Sequence, residues 1–152
     1  MESAIILLDE HTDQAAKQML QSVVAKKKKY EKLKHKHIQI LILAMSVFFL
    51  FMLYLYFYIV IPFSYSFFVM FSAFVSSFIH FFLLAAVIGL YGYLILIKNK
   101  MDKAEKEYHK LRCEIIQKSK QLWEKEEEWK NRHKVFDMMK KQFDINLYTE
   151  NK

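Results

Sequence analysis

Residues 38–97 read IQILILAMSVFFLFMLYLYFYIVIPFSYSFFVMFSAFVSSFIHFFLLAAVIGLYGYLILI and contain no Asp, Glu, Lys or Arg. A soluble helix rarely keeps every face apolar over such a length, whereas a hydrocarbon slab about 30 Å thick needs roughly 20 apolar residues for each spanning helix. The stretch therefore predicts two membrane spans joined by a short turn. The predicted fold class is an all-α membrane protein built on a two-span transmembrane helical hairpin.

The turn is placed by the only proline of the chain, Pro62, which is followed by Phe-Ser-Tyr-Ser. We expect transmembrane helix 1 at 38–61, an extracytoplasmic turn at 62–70 and transmembrane helix 2 at 71–97, with the second span beginning near Phe71 to Phe74. Two glycines and one proline in 152 residues indicate a helical chain, and the single cysteine excludes an intramolecular disulfide framework.

Lysines flank the apolar stretch on both sides, while the turn carries no charge. Positive charge marks the cytoplasmic side of a membrane protein, so both termini are expected in the cytoplasm and the lysines beside the anionic inner leaflet of the cytoplasmic membrane. Nucleic acid is the alternative partner for such clusters, and it is disfavoured because no nucleic-acid motif accompanies them. The flanking lysines are Lys26, Lys27, Lys28, Lys29, Lys32, Lys34, Lys36, Lys98, Lys100, Lys103, Lys106 and Lys110.

Residues 1–37 are predicted to form an N-terminal amphipathic cytoplasmic arm. Thr12 is an N-cap candidate, and no glycine or proline interrupts the sequence from there to the first span. One helix is therefore predicted from about Thr12 to about Ile61. A small apolar patch, Ile5–Leu8, precedes it.

Residues 98–143 are predicted to form one long C-terminal cytoplasmic coiled-coil arm, followed by a frayed tail at 144–152. Its apolar residues recur every seven positions, which is typical of an association seam. The arm should pair antiparallel with the N-terminal arm and overshoot it by roughly 30 Å. The distal seam would then be free for self-association or for a cytoplasmic protein, unless Ile5–Leu8 folds over it. The seam consists of Met101, Tyr108, Ile115, Leu122, Trp129, Phe136 and Phe143.

His80 is the only ionisable side chain besides tyrosine in the apolar stretch. Intramembrane ionisable residues are often functional, yet no carboxylate or basic partner accompanies His80, which favours a hydrogen bond between helices. Small residues near it predict a packing face toward the first span or another subunit. The proposed transmembrane packing set is Ala73, Ser77, His80, Ala85, Gly89 and Gly92.

Two functions follow from these features. The preferred one is a membrane-anchored coiled-coil interaction or scaffold protein, and the alternative is a small oligomeric channel or transporter component with His80 in the membrane. No cofactor, metal or enzymatic activity is expected, because the sequence contains no nucleophile–base set, Gly-rich phosphate loop or CxxC pair. His109 and Cys113 have helical metal-ligand spacing, but nothing completes a four-ligand site.

The layout resembles that of the small YpbF-like membrane proteins of Bacillus and relatives. The resemblance rests on LLDEHTDQAAKQML at 7–20, KKKKYEKLK at 26–34, the two Phe-rich spans and the Lys/Glu-rich C-terminal helix. The resemblance implies that the protein lies in a bacterial cytoplasmic membrane, and it identifies no functional residues in this sequence.

Overall fold

The computed structural model describes Ile5 and residues 13–149, and these residues are helical over most of their length with no β-strand among them. The first helix, α1 (Gln14–Leu55), continues directly into a π-helical turn, Tyr56–Val60. The Thr12 N-cap, residues 6–8 of the apolar patch and the last three residues of the tail lie outside the described part of the chain. The α-helices are α1 (Gln14–Leu55), α2 (Phe67–Ser76), α3 (Phe78–Gln117), α4 (Ser119–Leu122) and α5 (Glu126–Phe143).

The chain divides into two compact units. The central unit consists of Leu33–Met101, and the terminal unit combines Met1–Lys32 with Asp102–Lys152. Helices α1 and α3 contribute residues to both units, since each is uninterrupted across the boundary.

Among the described residues, two helical segments are long and apolar enough to cross a membrane, Gln14–Val60 and Phe78–Gln117. In each, only 6% of the most apolar 18-residue window is buried. The second of these segments begins at Phe78, later than the expected start near Phe71 to Phe74. Ser77 has extended backbone (φ −109°, ψ 118°), so α2 ends at Ser76 and the long helix begins at Phe78.

The terminal unit has its own hydrophobic core, and this core changes the expected course of the C-terminal arm. Residues 98–143 do not form one helix, because the backbone leaves the helical conformation between Trp123 and Lys125. Helix α5 then packs Val135, Phe136 and Met139 into a core that it shares with the first turns of α1. Burial of these side chains provides the physical reason for the break, since the segment contains no glycine or proline.

The segment after α5 also differs from the expected frayed tail. Ile145 is fully buried and Leu147 is 1% exposed, and both belong to the terminal core. Ile5 is fully buried in the same core. The segment 144–149 therefore contributes to folding of the terminal unit.

Candidate functional site

The sevenfold seam of the C-terminal arm is mostly part of the intrachain core. Tyr108, Ile115 and Phe136 are buried, and Leu122, Trp129 and Phe143 pack against them while remaining partly exposed. The Phe136 ring meets Trp123 edge to face at 5.6 Å between centroids. Met101 lies in the central unit. The expectation of a distal seam without an intrachain neighbour is therefore wrong, because α5, which carries the distal seam, packs against α1 after the backbone break.

Lys27 is the main polar residue of this core that the sequence reasoning missed. It is 8% exposed, and its ammonium group donates to the carbonyl oxygens of Phe143 at 2.7 Å and Asp144 at 2.6 Å. It also lies 3.0 Å from an Asp144 carboxylate oxygen and 3.6 Å from Glu31. The signal was its spacing, since Lys27 follows Val23 by one helical turn on the buried face of α1.

The backbone at the end of α5 explains why a lysine is needed there. Asp144 has φ 52° and ψ 38°, the left-handed conformation that ends many helices, and its N–H donates to the carbonyl of Met139. The N–H of Ile145 donates to the same carbonyl at 3.1 Å. The last carbonyls of a helix lack intrahelical donors. Lys27 supplies three charged donors at that point.

Further hydrogen bonds attach the 144–149 segment to the core. The Arg112 guanidinium is buried and donates to the carbonyl of Thr149 at 2.7 Å. The Tyr148 hydroxyl lies 2.7 Å from a carboxylate oxygen of Asp137, and this hydrogen bond raises the pKa of Tyr148. Burial likewise raises the pKa of Tyr108. The phenols are thus held neutral in the folded unit.

Helices α1 and α3 are joined within the terminal unit by an ion pair. Lys26 Nζ lies 3.1 Å from Glu107 Oε2, and this hydrogen bond lowers the pKa of Glu107. Both side chains are more than one-third exposed, so the pair contributes little stability. It places these two side chains opposite each other on α1 and α3.

In the central unit His80 is buried, 6% exposed, and both of its ring nitrogens have partners. Nδ1 lies 2.9 Å from the carbonyl oxygen of Phe74. Nε2 lies 3.1 Å from the hydroxyl of Tyr54. The imidazole stacks on the Phe74 ring at 5.3 Å with an interplanar angle of 10°.

These contacts fix the proton positions of the neutral ring. A carbonyl oxygen can only accept, so Nδ1 must carry the proton that it donates to Phe74. Nε2 of the neutral ring is then an acceptor, and Tyr54 donates to it. The α-helical donor for the Phe74 carbonyl would be the N–H of Phe78, beyond the extended Ser77. His80 therefore acts as a clamp across the interruption between α2 and α3.

The residues of the predicted transmembrane packing set differ in their exposure. Ala73 and Ser77 are half-buried near His80, whereas Ala85, Gly89 and Gly92 are exposed. A Cβ added at either glycine would meet nothing within 4 Å. The groove between the two long helices is lined by other residues, which are Val47, Leu50, Phe51, Tyr54, Leu83, Ala86 and Val87. The glycine part of the set thus faces away from the first span.

His109 and His133 each have a polar partner on their own helix. His109 Nε2 is 3.8 Å from Glu105 on the same helix, and His133 Nδ1 donates to the carbonyl of Lys130 at 2.7 Å. Across Ile5 and residues 13–149, no group of three or more His, Cys, Asp or Glu side chains is arranged to hold a metal ion.

Comparison with known proteins gives a family. Residues 19–150 match the family described as "Protein of unknown function (DUF2663)". The chain belongs to this family. It is also 36% identical over 152 residues to the uncharacterized protein YpbF of Bacillus subtilis (strain 168), a match that covers the whole of both chains. The YpbF-like resemblance of the sequence is thereby confirmed. No solved structure matches the chain significantly.

Proposed function

We propose that this protein is an integral cytoplasmic membrane protein that presents its terminal unit on the cytoplasmic side as a docking unit for itself or another protein. The observation that carries the proposal is the exposure of the central unit. Its apolar side chains are exposed along both long helices and along α2, with Phe49 63%, Phe68 83% and Phe78 82% exposed. Large apolar side chains that face outward over two such helices need a hydrocarbon surrounding.

The charge distribution supports the orientation. Residues 38–97 contain no Asp, Glu, Lys or Arg, whereas lysines border both ends of the stretch. Lys36 lies 5.7 Å over the ring of Tyr93, which places a cation and an amphipathic ring together at one end of the two helices. Such pairs are typical of the interface between hydrocarbon and headgroups. Both termini are therefore assigned to the cytoplasm.

The terminal unit supports a binding role rather than a catalytic one. Its core fixes α5 against α1, and the partly exposed Trp129 carries the Arg132 guanidinium 3.4 Å above its ring. Tryptophan and arginine are the residues most enriched at binding hot spots. In the central unit, the exposed glycine face offers a second surface at which another copy could pack closely.

The experiment that tests membrane placement uses single cysteines in a Cys113→Ser background. A cysteine at Ser64 should react with a membrane-impermeant thiol reagent in intact cells, whereas cysteines at Ser3 and Asn151 should react only after lysis. Labelling of either terminal cysteine in intact cells would overturn the orientation. If no position depends on lysis and the protein is found in the soluble fraction, the membrane proposal itself fails.

The channel or transporter alternative is tested by flux in reconstituted vesicles. The contacts of His80 favour a packing role, since both ring nitrogens are engaged by Tyr54 and Phe74. We therefore expect no ion flux above that of empty vesicles. Flux that disappears in His80→Ala would support the alternative.

A further inference from the structure

Helix α2 is too short to cross a membrane. Its ten residues, Phe67–Ser76, extend about 15 Å, which is half the thickness of the hydrocarbon slab. The second span does not need α2, because the part of α3 from Phe78 to Ile97 already extends about 30 Å. Helix α2 packs against the π-helical turn Tyr56–Val60, which ends the proposed first span. It therefore lies at the extracytoplasmic end of both proposed spans.

The backbone between α2 and α3 also favours a position that water can reach. Ser77 has extended backbone, so a new helix begins after it. An α-helix offers no acceptor to the N–H groups of its first residues, here Phe78 and Ile79, and both residues are exposed. Hydrocarbon cannot accept a hydrogen bond, so water or lipid headgroups must supply the acceptors. The interruption thus belongs at the boundary of the membrane and not inside it.

One side of α2 consists of aromatic rings. Phe67, Phe71 and Phe74 recur four and three positions apart, so they share one side of the helix. The ring of Phe74 stacks on His80 and lies 5.7 Å from the ring of Phe81, and both of these residues belong to α3. This side of α2 is therefore turned toward the level at which α3 crosses the proposed membrane.

The opposite side of α2 is polar. Residues of an α-helix advance by about 100° each, which places Ser72 and Ser76 across the helix from Phe74. Both serines are exposed. Phe67 and Phe71 are exposed on the aromatic side, and α2 has no charged side chain. The helix is therefore amphipathic, with exposed rings on one side and uncharged hydroxyl groups on the other.

We propose that α2 is an interfacial helix of the extracytoplasmic leaflet, in which Phe67, Phe68 and Phe71 lie among the acyl chains while Ser72 and Ser76 face headgroups and water. Such a helix binds a leaflet by burying its apolar side at the boundary between headgroups and acyl chains. Because α2 carries no charge, its partner is the hydrocarbon of the lipid and not an anionic headgroup. The inference rests on the proposed membrane placement and adds a lipid-binding element to the two spans.

The test compares how often labels on α2 collide with oxygen, which concentrates in hydrocarbon, and with a water-soluble nickel complex. Nitroxides are attached to single cysteines in a Cys113→Ser background, with the full chain in nanodiscs of zwitterionic lipid. Labels at Phe68 and Phe71 should collide mainly with oxygen, and labels at Ser72 and Ser76 mainly with the nickel complex. The ratio of the two collision rates should therefore alternate with the period of a helix.

Two reference labels separate failure of this inference from failure of the membrane placement. A label at Ser46, exposed within the first span, should collide mainly with oxygen, and a label at Ser64 in the turn mainly with the nickel complex. A label at Ser46 that collides mainly with the nickel complex would overturn the membrane placement and the inference with it. With Ser46 in hydrocarbon, four α2 labels that all prefer oxygen would make α2 part of the spanning helix. Four that all prefer nickel, or that a second copy shields from both reagents, would place α2 outside the lipid. Each of these results overturns the inference and leaves the membrane placement intact.

Paired variants test whether the rings hold α2 in the leaflet. Phe67→Ser with Phe68→Ser should shift the collision ratio at a Phe71 label toward that of the turn reference, because the helix loses apolar area that it buries in lipid. Ser72→Ala with Ser76→Ala, on the opposite side, should leave the ratio unchanged. Adding anionic lipid to the nanodiscs should also leave it unchanged. A Phe71 ratio that stays the same without the two rings, or that depends on anionic lipid, would contradict binding through the acyl chains.

Discussion

The ammonium nitrogen of Lys27 lies 2.6 Å from the carbonyl oxygen of Asp144, and this contact joins the end of α5 to α1. Lys27 is buried on α1. Asp144 directly follows the last residue of α5 and lies more than a hundred positions later in the sequence. A cation at a helix C-terminus is favoured by the helix dipole and by the unpaired carbonyls. Lys27 thus acts on α5 as a C-terminal capping group supplied by another helix.

Lys27→Met should destabilise the terminal unit by about 2–4 kcal/mol, because the carbonyls of Phe143 and Asp144 lose charged donors in a buried position. Thermal unfolding of the detergent-solubilised protein, followed by tryptophan fluorescence, measures the effect. Both tryptophans, Trp123 and Trp129, lie in the terminal unit. Lys28→Met is the matched control at an exposed neighbour and should change little. Equal effects of the two variants would contradict the capping role.

Asp144→Gly should stabilise the terminal unit by about 0.5–1 kcal/mol, since glycine adopts the left-handed conformation at φ 52° without steric cost. The carboxylate that is lost is 98% exposed, so its ion pair with Lys27 contributes little. Asp144→Val, with a branched Cβ at the same φ, should destabilise the unit. The same fluorescence measurement ranks the three proteins, and a valine variant as stable as wild type would contradict the strain argument.

The all-helical class and the two long apolar helices could be predicted from the sequence because they depend on composition over long windows. The absence of Asp, Glu, Lys and Arg from 38 to 97 is visible without any tertiary information. The positions at which the helices begin and end were harder to predict from the sequence. Ser77 interrupts the second apolar helix although serine is not a strong breaker, and the interruption is held by Phe74 and His80, whose contact is tertiary.

The fold of the C-terminal arm could not be predicted from periodicity alone. The sevenfold series continues through Leu122 and Trp129 without a change of register, so local sequence favours one helix. The chain leaves the helical conformation at Trp123–Lys125, and α5 then buries Val135, Phe136 and Met139 in a core with α1 and the 144–149 segment. Periodicity predicted which side chains are apolar on one face, but not which part of the chain covers them.

Tyr148 should respond to alkaline pH. Its hydrogen bond to Asp137 raises its pKa in the folded unit, so the neutral phenol is favoured by folding. This contribution is fully present below the ordinary tyrosine pKa of about 10 and is lost as the pH rises through the higher folded value. In an ultraviolet titration, the absorbance of the ionised phenol should become larger in the wild type than in Tyr148→Phe only above pH 10.

Asp137→Ala is the control for this titration, because it removes the acceptor carboxylate and leaves Tyr148 in place. In the Asp137→Ala background, the ultraviolet absorbance change that Tyr148→Phe removes should occur at a lower pH than in the wild type. Coincident titration curves in the two backgrounds would show that Asp137 does not hold the phenol neutral.

Phe136→Ala should be the most damaging of the aromatic truncations in α5. Phe136 is 5% exposed and contacts Trp123 and Tyr148 edge to face, at 5.6 Å and 5.4 Å between ring centroids. Removing a buried phenylalanine costs about 3–5 kcal/mol. Trp129→Ala should cost less, since that ring is partly exposed beneath Arg132. Chemical denaturation followed by Trp123 fluorescence gives the order.

The same variants separate folding from docking. Because Phe136 belongs to the core, Phe136→Ala should reduce the yield of crosslinked oligomer or captured partner only where denaturation shows that the terminal unit is unfolded. Trp129→Ala should reduce the same yield while the terminal unit stays folded. Glu127→Ala with Lys134→Ala, on the exposed face of the same helix, should leave both stability and yield within experimental error. A folded Trp129→Ala variant with undiminished yield would exclude the Trp129–Arg132 face as the docking surface. The exposed Gly89 and Gly92 face would then be the surface to test next.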